Sequence, residues 1–164
     1  MLGNCRRSIE VVLSGDEIVR ACMVLEGIDL FSDMTSQDRF DIAQVLTIVQ
    51  FNDGEEIIAA GKLAADTDRG MEASAVFVYT CRRLIDLSLL AGMYFISGGA
   101  VQLMEDGLHV MTYDKGPQGH FGELDLLGGG GHLQATEAVG DTECFRLSKS
   151  AFDNLEIGAI LYSK

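Results

Sequence analysis

The hydrophobic positions of the chain change from a helical spacing to an alternating one near Thr47. From Asp16 onward, apolar residues recur every three or four positions, which predicts a helix within a helical lead-in over residues 1–30. Thr35 is a good helix N-cap, and Asp38 stands where a capping-box acid reaches back, so a second helix should follow. The apolar positions assigned to these two helices are Ile18, Val19, Cys22, Met23 and Leu25, then Phe40, Ile42, Ala43, Val45 and Leu46.

Beyond Thr47 the apolar period is two, which is typical of half-buried strands. Asp53-Gly54 predicts a hairpin turn that leads into a return strand over residues 56–61, and Glu105-Asp106-Gly107 predicts another hairpin. Ser148 should cap a short final helix carrying Phe152, Leu155 and Ile160. Further strands are predicted over residues 93–99, 100–104, 108–113, 137–141 and 143–147. Short strands framed by helices indicate an antiparallel roll or barrel.

Composition limits the classes of protein that this chain can be. Its 164 residues are 48% hydrophobic with a mean hydropathy of +0.19, enough for one domain with a real core. The net charge of −13 opposes binding to nucleic acid and to anionic membranes. Four cysteines without paired spacing indicate a reduced intracellular chain, and no signal peptide is recognisable, so we predict a cytoplasmic location.

The candidate chemistry lies in residues 119–127, a glycine-opened turn followed by alternating apolar residues. Gly122 can bring bare backbone N–H groups close to an anion. Glu123, one residue further on, offers a carboxylate that can accept hydrogen bonds from a pair of sugar hydroxyls. Backbone donors for a phosphate beside a carboxylate for a ribose predict a nucleotide pocket.

The order of the motifs resembles a cyclic nucleotide-binding domain, as found in the regulatory subunits of cAMP-dependent protein kinase and in cGMP-dependent protein kinase. The segments that carry the resemblance are 53–58, Gly61, 93–101, 119–127, Ala138 and Asp141. It covers about residues 26–155 with one interruption. The resemblance implies a mainly β fold, an eight-stranded antiparallel β-roll of jelly-roll type with N-terminal helices and a short C-terminal helix.

By the same resemblance, residues 121–136 form the phosphate-binding cassette for cAMP or cGMP. Glu123 would accept the ribose 2′-hydroxyl, and the N–H groups near Gly122 and Leu124 would face the cyclic phosphate. The residues expected to contact the ligand are Phe121, Gly122, Glu123, Leu124, Asp125, His132, Leu133 and Ala135.

The cassette departs from the family pattern where the family has Pro-Arg-Ala-Ala-Thr. Gly131 stands for the Pro, His132 for the phosphate-clamping Arg and Ala135 for the Thr, although a one-residue shift would place Thr136 there. The Asp125 carboxylate would also repel a phosphate. Loss of a charged hydrogen bond costs roughly 1.5–3 kcal/mol. We therefore expect weak cyclic nucleotide binding that strengthens as protonation of His132 restores charge, or a shift of the pocket to an uncharged nucleoside.

Residues 68–92 interrupt the resemblance. They are either a retained intron or a genuine surface insertion, and sequencing of the spliced transcript distinguishes the two. The predicted roll covers residues 31–155 and includes this segment. Residues 156–164 are expected to begin a truncated C-terminal helix.

Two functions follow as hypotheses. The first is a ligand-sensing module that controls a protein kinase, either a separate catalytic subunit or a kinase domain in the same chain. The second is a ligand-free or nucleoside-binding pseudo-domain that acts as a protein interaction scaffold. No arrangement typical of a catalytic site is recognisable, so an enzyme is not expected, and neither His109 nor His120 is expected to bind metal.

Overall fold

The computed structural model describes residues 12–58, 92–126 and 135–155. The helices are α1 (Gly15–Glu26), a 3₁₀ turn (Asp29–Phe31), α2 (Ser36–Gln44), α3 (Glu123–Leu126) and α4 (Lys149–Asn154). The strands are β1 (Thr47–Phe51), β2 (Glu56–Ile58), β3 (Gly92–Glu105), β4 (Leu108–Asp114), β5 (His120–Phe121) and β6 (Ala135–Ser148). Of the segment 68–92, only Gly92 is among these residues, and residues 156–164 lie outside them.

Capping boxes begin both N-terminal helices. The backbone N–H of Asp38 donates to Thr35 Oγ1 at 3.2 Å, and the N–H of Thr35 donates back to Asp38 Oδ2 at 2.9 Å, as predicted. Ser14 and Glu17 form the same arrangement at the start of α1, so this helix begins one residue before Asp16, where the apolar spacing predicts it. Hydrogen bonds from the side chain and backbone of Thr35 lower the pKa of Asp38.

The buried face of α1 differs from the predicted one. Ala21, Val24 and Leu25 are buried, whereas Val19 and Met23 are 60% and 67% exposed. A helix advances about 100° per residue, so a list of apolar positions with mixed spacing covers more than one face. Packing against α2 and the sheet selects which of those positions are buried. In α2, Ile42 and Ala43 are buried and Phe40 is largely exposed.

The strands form one antiparallel sheet in the order β1-β6-β3-β4, with β2 also paired to β6 and β5 also paired to β3. The Asp53-Gly54 turn is present, and Gly54 has φ +73°. The predicted hairpin is wrong, however, because β1 and β2 both pair with β6 instead of with each other. Asp53 Oδ1 accepts a 2.7 Å hydrogen bond from the N–H of Gly140, which ties the turn to a kink in β6.

The class of fold is confirmed as a mainly antiparallel β-roll with flanking helices. The described residues contain six strands, two of which, β3 and β6, are 14 residues long. The predicted strands 93–99 and 100–104 are one strand, β3, whose register with β6 shifts around Gly98. The predicted strands 137–141 and 143–147 are likewise both parts of β6. The hairpin between β3 and β4 is confirmed, with positive φ at Asp106 and Gly107.

Buried side chains form two groups on opposite faces of the sheet. The outer core lies between the sheet and the helices and includes Phe31, Ile42, Met93, Phe95, Leu126, Phe145, Leu147 and Phe152. The inner core lies inside the roll and consists of Ile57, Ile58, Tyr94, Ile96, Val101, Phe121, Ala138 and Cys144. The predicted cap of the final helix is confirmed, since the N–H of Ala151 donates to Ser148 Oγ at 3.2 Å. In the described parts of the chain, no helix has the length and apolar character needed to cross a membrane.

Candidate functional site

The turn between β5 and α3 is built around Gly122. This residue has φ +87°, a conformation that side chains other than glycine rarely adopt. A Cβ at Gly122 would collide with the carbonyl oxygen of Gly92, and it would lie 3.4 Å from both Ile58 Cδ1 and Tyr94 Cδ2. The turn therefore packs with its bare backbone against the first residues of β3 and the end of β2.

Aromatic stacking holds the turn on its inner side. The Phe121 ring lies parallel to the Tyr94 ring, with centroids 5.1 Å apart, and Phe51 meets Tyr94 edge-on at 6.3 Å. On the other side of the turn, Leu126 is 2% exposed in the outer core. The four-residue helix α3 is thus anchored at both ends, one in each core.

Glu123 is the first residue of α3 and directly follows Gly122. Its side chain is exposed, so the carboxylate is available to hydroxyl groups of a ligand. The first N–H groups of a helix have no acceptor within the helix, and the neighbouring turn therefore presents backbone donors beside this carboxylate. Leu124 and Asp125 lie in α3, and their side chains fall outside what the structure describes.

His120 lies on the opposite side of β5 from Phe121. Burial lowers the pKa of its imidazole, while the carboxylates of Glu123 and Asp29 act in the opposite direction. Its Nδ1 is buried and has no hydrogen-bond partner in the described structure. The N–H of Asp29 donates to the carbonyl of Pro117 at 3.0 Å, so the 3₁₀ turn is fastened to the loop before β5. The residue types around His120 predict only a turn and give no signal of this link between the site and the helical lead-in.

The remaining predicted site residues fall near the start of β6. His132 and Leu133 lie outside the described residues. Ala135 is half-buried and pairs with Met104. Thr136 is 3% exposed, and its Oγ1 accepts a 3.1 Å hydrogen bond from the N–H of Ile58. Ile58 also lies beside Gly122, so this residue connects Thr136 to the turn. A role of Thr136 toward a ligand stays a prediction.

The site has no metal-binding character where the structure describes it. Residues 12–58, 92–126 and 135–155 contain no group of three or more His, Cys, Asp and Glu side chains that could hold a metal ion. Phe121, Gly122 and Glu123 thus place a bare backbone turn and an exposed carboxylate beside a buried aromatic ring. Such a turn suits a ligand with two parts. The hydroxyl groups of a sugar would donate to the carboxylate, and a neighbouring group of the ligand would accept hydrogen bonds from the backbone N–H groups.

Comparison with known proteins relates the segment that contains this turn to a known domain family. Residues 89–156 match the family model of the cyclic nucleotide-binding domain. This range contains β3 to β6, the Gly122 turn and α4. No curated protein matches the sequence. The predicted resemblance to a cyclic nucleotide-binding domain of the protein kinase A regulatory type is confirmed by this match and by solved structures of that type.

Three of those structures are regulatory subunits of protein kinase A or their domains. That of a cAMP-independent protein kinase A from Trypanosoma cruzi, bound to guanosine, has a TM-score of 0.65 and 18% identity, over 92% of this chain and 44% of that one. The Toxoplasma gondii domain with cAMP has a TM-score of 0.63 and 19% identity, over 89% and 47%. The Trypanosoma brucei subunit has a TM-score of 0.66 and 18% identity, over 92% and 46%. The chain thus spans less than half of each, and the likeness establishes the fold.

Proposed function

We propose that this roll is a ligand-sensing module that binds a cyclic nucleotide or a nucleoside and controls a protein kinase in the cytoplasm. The observation that carries the proposal is the Gly122 turn followed by the exposed Glu123 carboxylate, inside the segment that matches the family. Glu123 would accept hydrogen bonds from the ribose hydroxyls. The backbone N–H groups of the Gly122 turn would donate hydrogen bonds to the group that the sugar carries.

The packing of α3 supports a way for binding to be transmitted. Leu126 lies in the outer core together with Phe152 of α4 and Phe31 of the 3₁₀ turn. A ligand that binds one position of α3 better than another would shift the helices on the outer face. It can move that equilibrium only by the difference between its affinities for the two arrangements. A kinase catalytic subunit, or a kinase domain in the same chain, would respond to the helices.

Two ligand classes are supported by different observations. A cyclic nucleotide is supported by the family match and by the cAMP complex of the Toxoplasma domain. A nucleoside is supported by the guanosine complex of the Trypanosoma cruzi subunit and by the sequence 127–145, which contains neither Arg nor Lys. An uncharged nucleoside needs the Glu123 carboxylate but no cation. A domain without any ligand, serving as an interaction scaffold, is the third outcome to be tested.

Calorimetric titration of the full chain with cAMP, cGMP, adenosine, guanosine and inosine tests the proposal. We expect saturable binding, and a loss of roughly 10- to 100-fold in affinity on Glu123→Gln, because a charged hydrogen bond is removed. Glu26→Gln, an exposed acid at the end of α1, is the matched control and should bind as the wild type does. If none of these ligands binds at about 1 mM, the sensor function is rejected and the ligand-free scaffold is the function that is kept.

The same titration at two pH values examines His132. If this residue supplies charge to a phosphate, the affinity for cyclic nucleotides should rise as the pH falls from about 8 to 6, since an imidazole protonates in that range. The nucleosides carry no phosphate and serve as the control. Equal affinities at both pH values would exclude His132 from the pocket.

A further inference from the structure

Arg146 is the one charged side chain that the fold buries among the residues described, with 7% exposed. It lies on β6 between Phe145 and Leu147, which both belong to the outer core. Because successive residues of a strand point to opposite faces, Arg146 points into the roll, on the same side as Cys144 of the inner core. A guanidinium is thus placed on the face of the sheet that carries the candidate site.

The register of the sheet aligns Arg146 with that site. Tyr94 of β3 pairs with Arg146 of β6 on one side and with Phe121 of β5 on the other. Neighbouring strands are about 4.8 Å apart, so the backbones of Arg146 and Phe121 are separated by roughly 10 Å. Between them lies Tyr94, whose ring is stacked on that of Phe121.

Gly92 brings the two closer than the register alone implies. The Nε atom of Arg146 lies 3.2 Å from the position that a Cβ at Gly92 would occupy. The carbonyl oxygen of the same glycine is the atom against which the Gly122 turn packs. One residue without a side chain therefore separates the guanidinium from the turn.

We propose that Arg146 is the cationic contact for the phosphate group of a nucleotide bound at the Gly122 turn. This inference rests on the proposed function and specifies its ligand as one that bears a phosphate. A guanidinium has five N–H donors in a planar fork, so it can contact a phosphate in addition to protein acceptors. Arg146 would supply the charge that residues 127–145 do not contain.

The test compares ligands that differ by the phosphate, cAMP against adenosine and cGMP against guanosine, on the full chain and on Arg146→Met. We expect the affinity for the cyclic nucleotides to fall roughly 10- to 100-fold and the affinity for the nucleosides to change by less than about threefold. Arg20→Met is the matched control. Arg20 reaches the opposite face of β6, where it lies over the Phe145 ring and contacts Glu143 at 3.1 Å. Arg20→Met should leave the affinities for all four ligands unchanged.

Each result decides the matter. Equal losses for both members of a pair would show that Arg146 acts only on the fold and would overturn the inference. Binding of nucleosides alone by the wild type would overturn it while leaving the proposed function intact, and binding of no ligand would overturn both. If Arg146→Met shows no cooperative unfolding transition, Arg146→Lys takes its place, because lysine keeps the charge but not the fork. Arg146→Lys is then expected to lower the affinity for the cyclic nucleotides but not for the nucleosides. An unchanged ratio of the two affinities would overturn the inference.

Discussion

The outer and inner cores of this protein are two faces of the same strands. On β3, Met93 and Phe95 point toward the helices, while Tyr94 and Ile96 point into the roll. The outer core is apolar and contains large rings and aliphatic chains. The inner face also carries a phenol, a thiol and the Arg146 guanidinium, and it has bare backbone at Gly92 and Gly122.

Under the proposed function, the difference would separate stability from ligand recognition. Apolar burial is non-directional and grows with area, so the outer core can hold helices to the sheet without specifying a ligand. Polar groups inside the roll cost free energy unless they are partnered, and under the proposed function a ligand would be a further partner there. The Cys144 thiol does not add a nucleophile to this face, because burial raises its pKa to about 12.

Truncation of the outer core should have the largest effect on stability. Phe95 is fully buried and meets Phe31 edge-on, with ring centroids 5.4 Å apart. Phe95→Ala is expected to lower the free energy of unfolding by about 3–5 kcal/mol, measured by urea denaturation. Val110→Ala, on the exposed face of β4, is the control and should change it by less than about 0.5 kcal/mol. Similar losses for the two variants would contradict the assignment of the core.

Gly122→Ala should damage the inner face. The added Cβ meets the carbonyl of Gly92 in a backbone conformation unfavourable to alanine, so we expect a loss of about 1–3 kcal/mol in stability and weaker ligand binding. Gly54→Ala is matched for positive φ but has no atom within 4 Å of the new Cβ. It should cost only the conformational penalty and leave the affinity unchanged. Equal affinities for the two variants would contradict the role of the Gly122 turn.

Loss of the α2 cap should weaken the helical side without touching the site. Thr35→Ala removes the acceptor for the Asp38 N–H and is expected to lower stability by about 1 kcal/mol in thermal or chemical unfolding. Ser36→Ala, one residue into the helix, is the control and should cost less. The ligand affinity of folded Thr35→Ala should equal that of the wild type, and a large change would mean that α2 belongs to the binding surface.

The smallest expected effect is a pH dependence from His120, a half-buried residue of β5. Burial lowers its pKa in the folded state, so its contribution to stability is complete at neutral pH. That contribution is lost as the pH falls from about 6.5, where the unfolded chain takes up a proton, toward the lower folded value. His120→Gln should therefore lose less stability than the wild type between pH 7.5 and about 5.5. Identical slopes would show that the imidazole titrates alike in both states.

Much of the fold was predictable because its signals are local. The Thr35 cap, the Asp106-Gly107 turn and the Ser148 cap each rest on hydrogen bonds or dihedral angles within a few residues. The Gly122-Glu123 turn was recognisable for the same reason, since its residue types stand side by side in the chain. The assignment of the eight residues from Phe121 to Ala135 to a ligand site remains a prediction, and two of them, His132 and Leu133, lie outside the described part.

The long-range features were not predictable in the same way. Asp53-Gly54 has the residues of a hairpin turn, yet β1 and β2 both pair with β6, which follows them by about ninety positions along the chain. Whether β1 and β2 pair with each other or with β6 depends on which strand lies beside them, with N–H and C=O groups to share, once the chain is folded. The buried face of α1 was likewise decided by its packing against α2 and β3.

The amino-acid sequence by itself determined the kinds of element, their turns and caps, and the residue types of the candidate site, because each depends on neighbouring residues. Only the tertiary structure decided which strands pair and which faces meet. It alone placed Arg146, Tyr94 and Phe121 side by side on neighbouring strands, although these residues lie far apart in the chain. The physical reason is that strand register joins distant segments through backbone hydrogen bonds, which are the same for every residue type and leave no local signal.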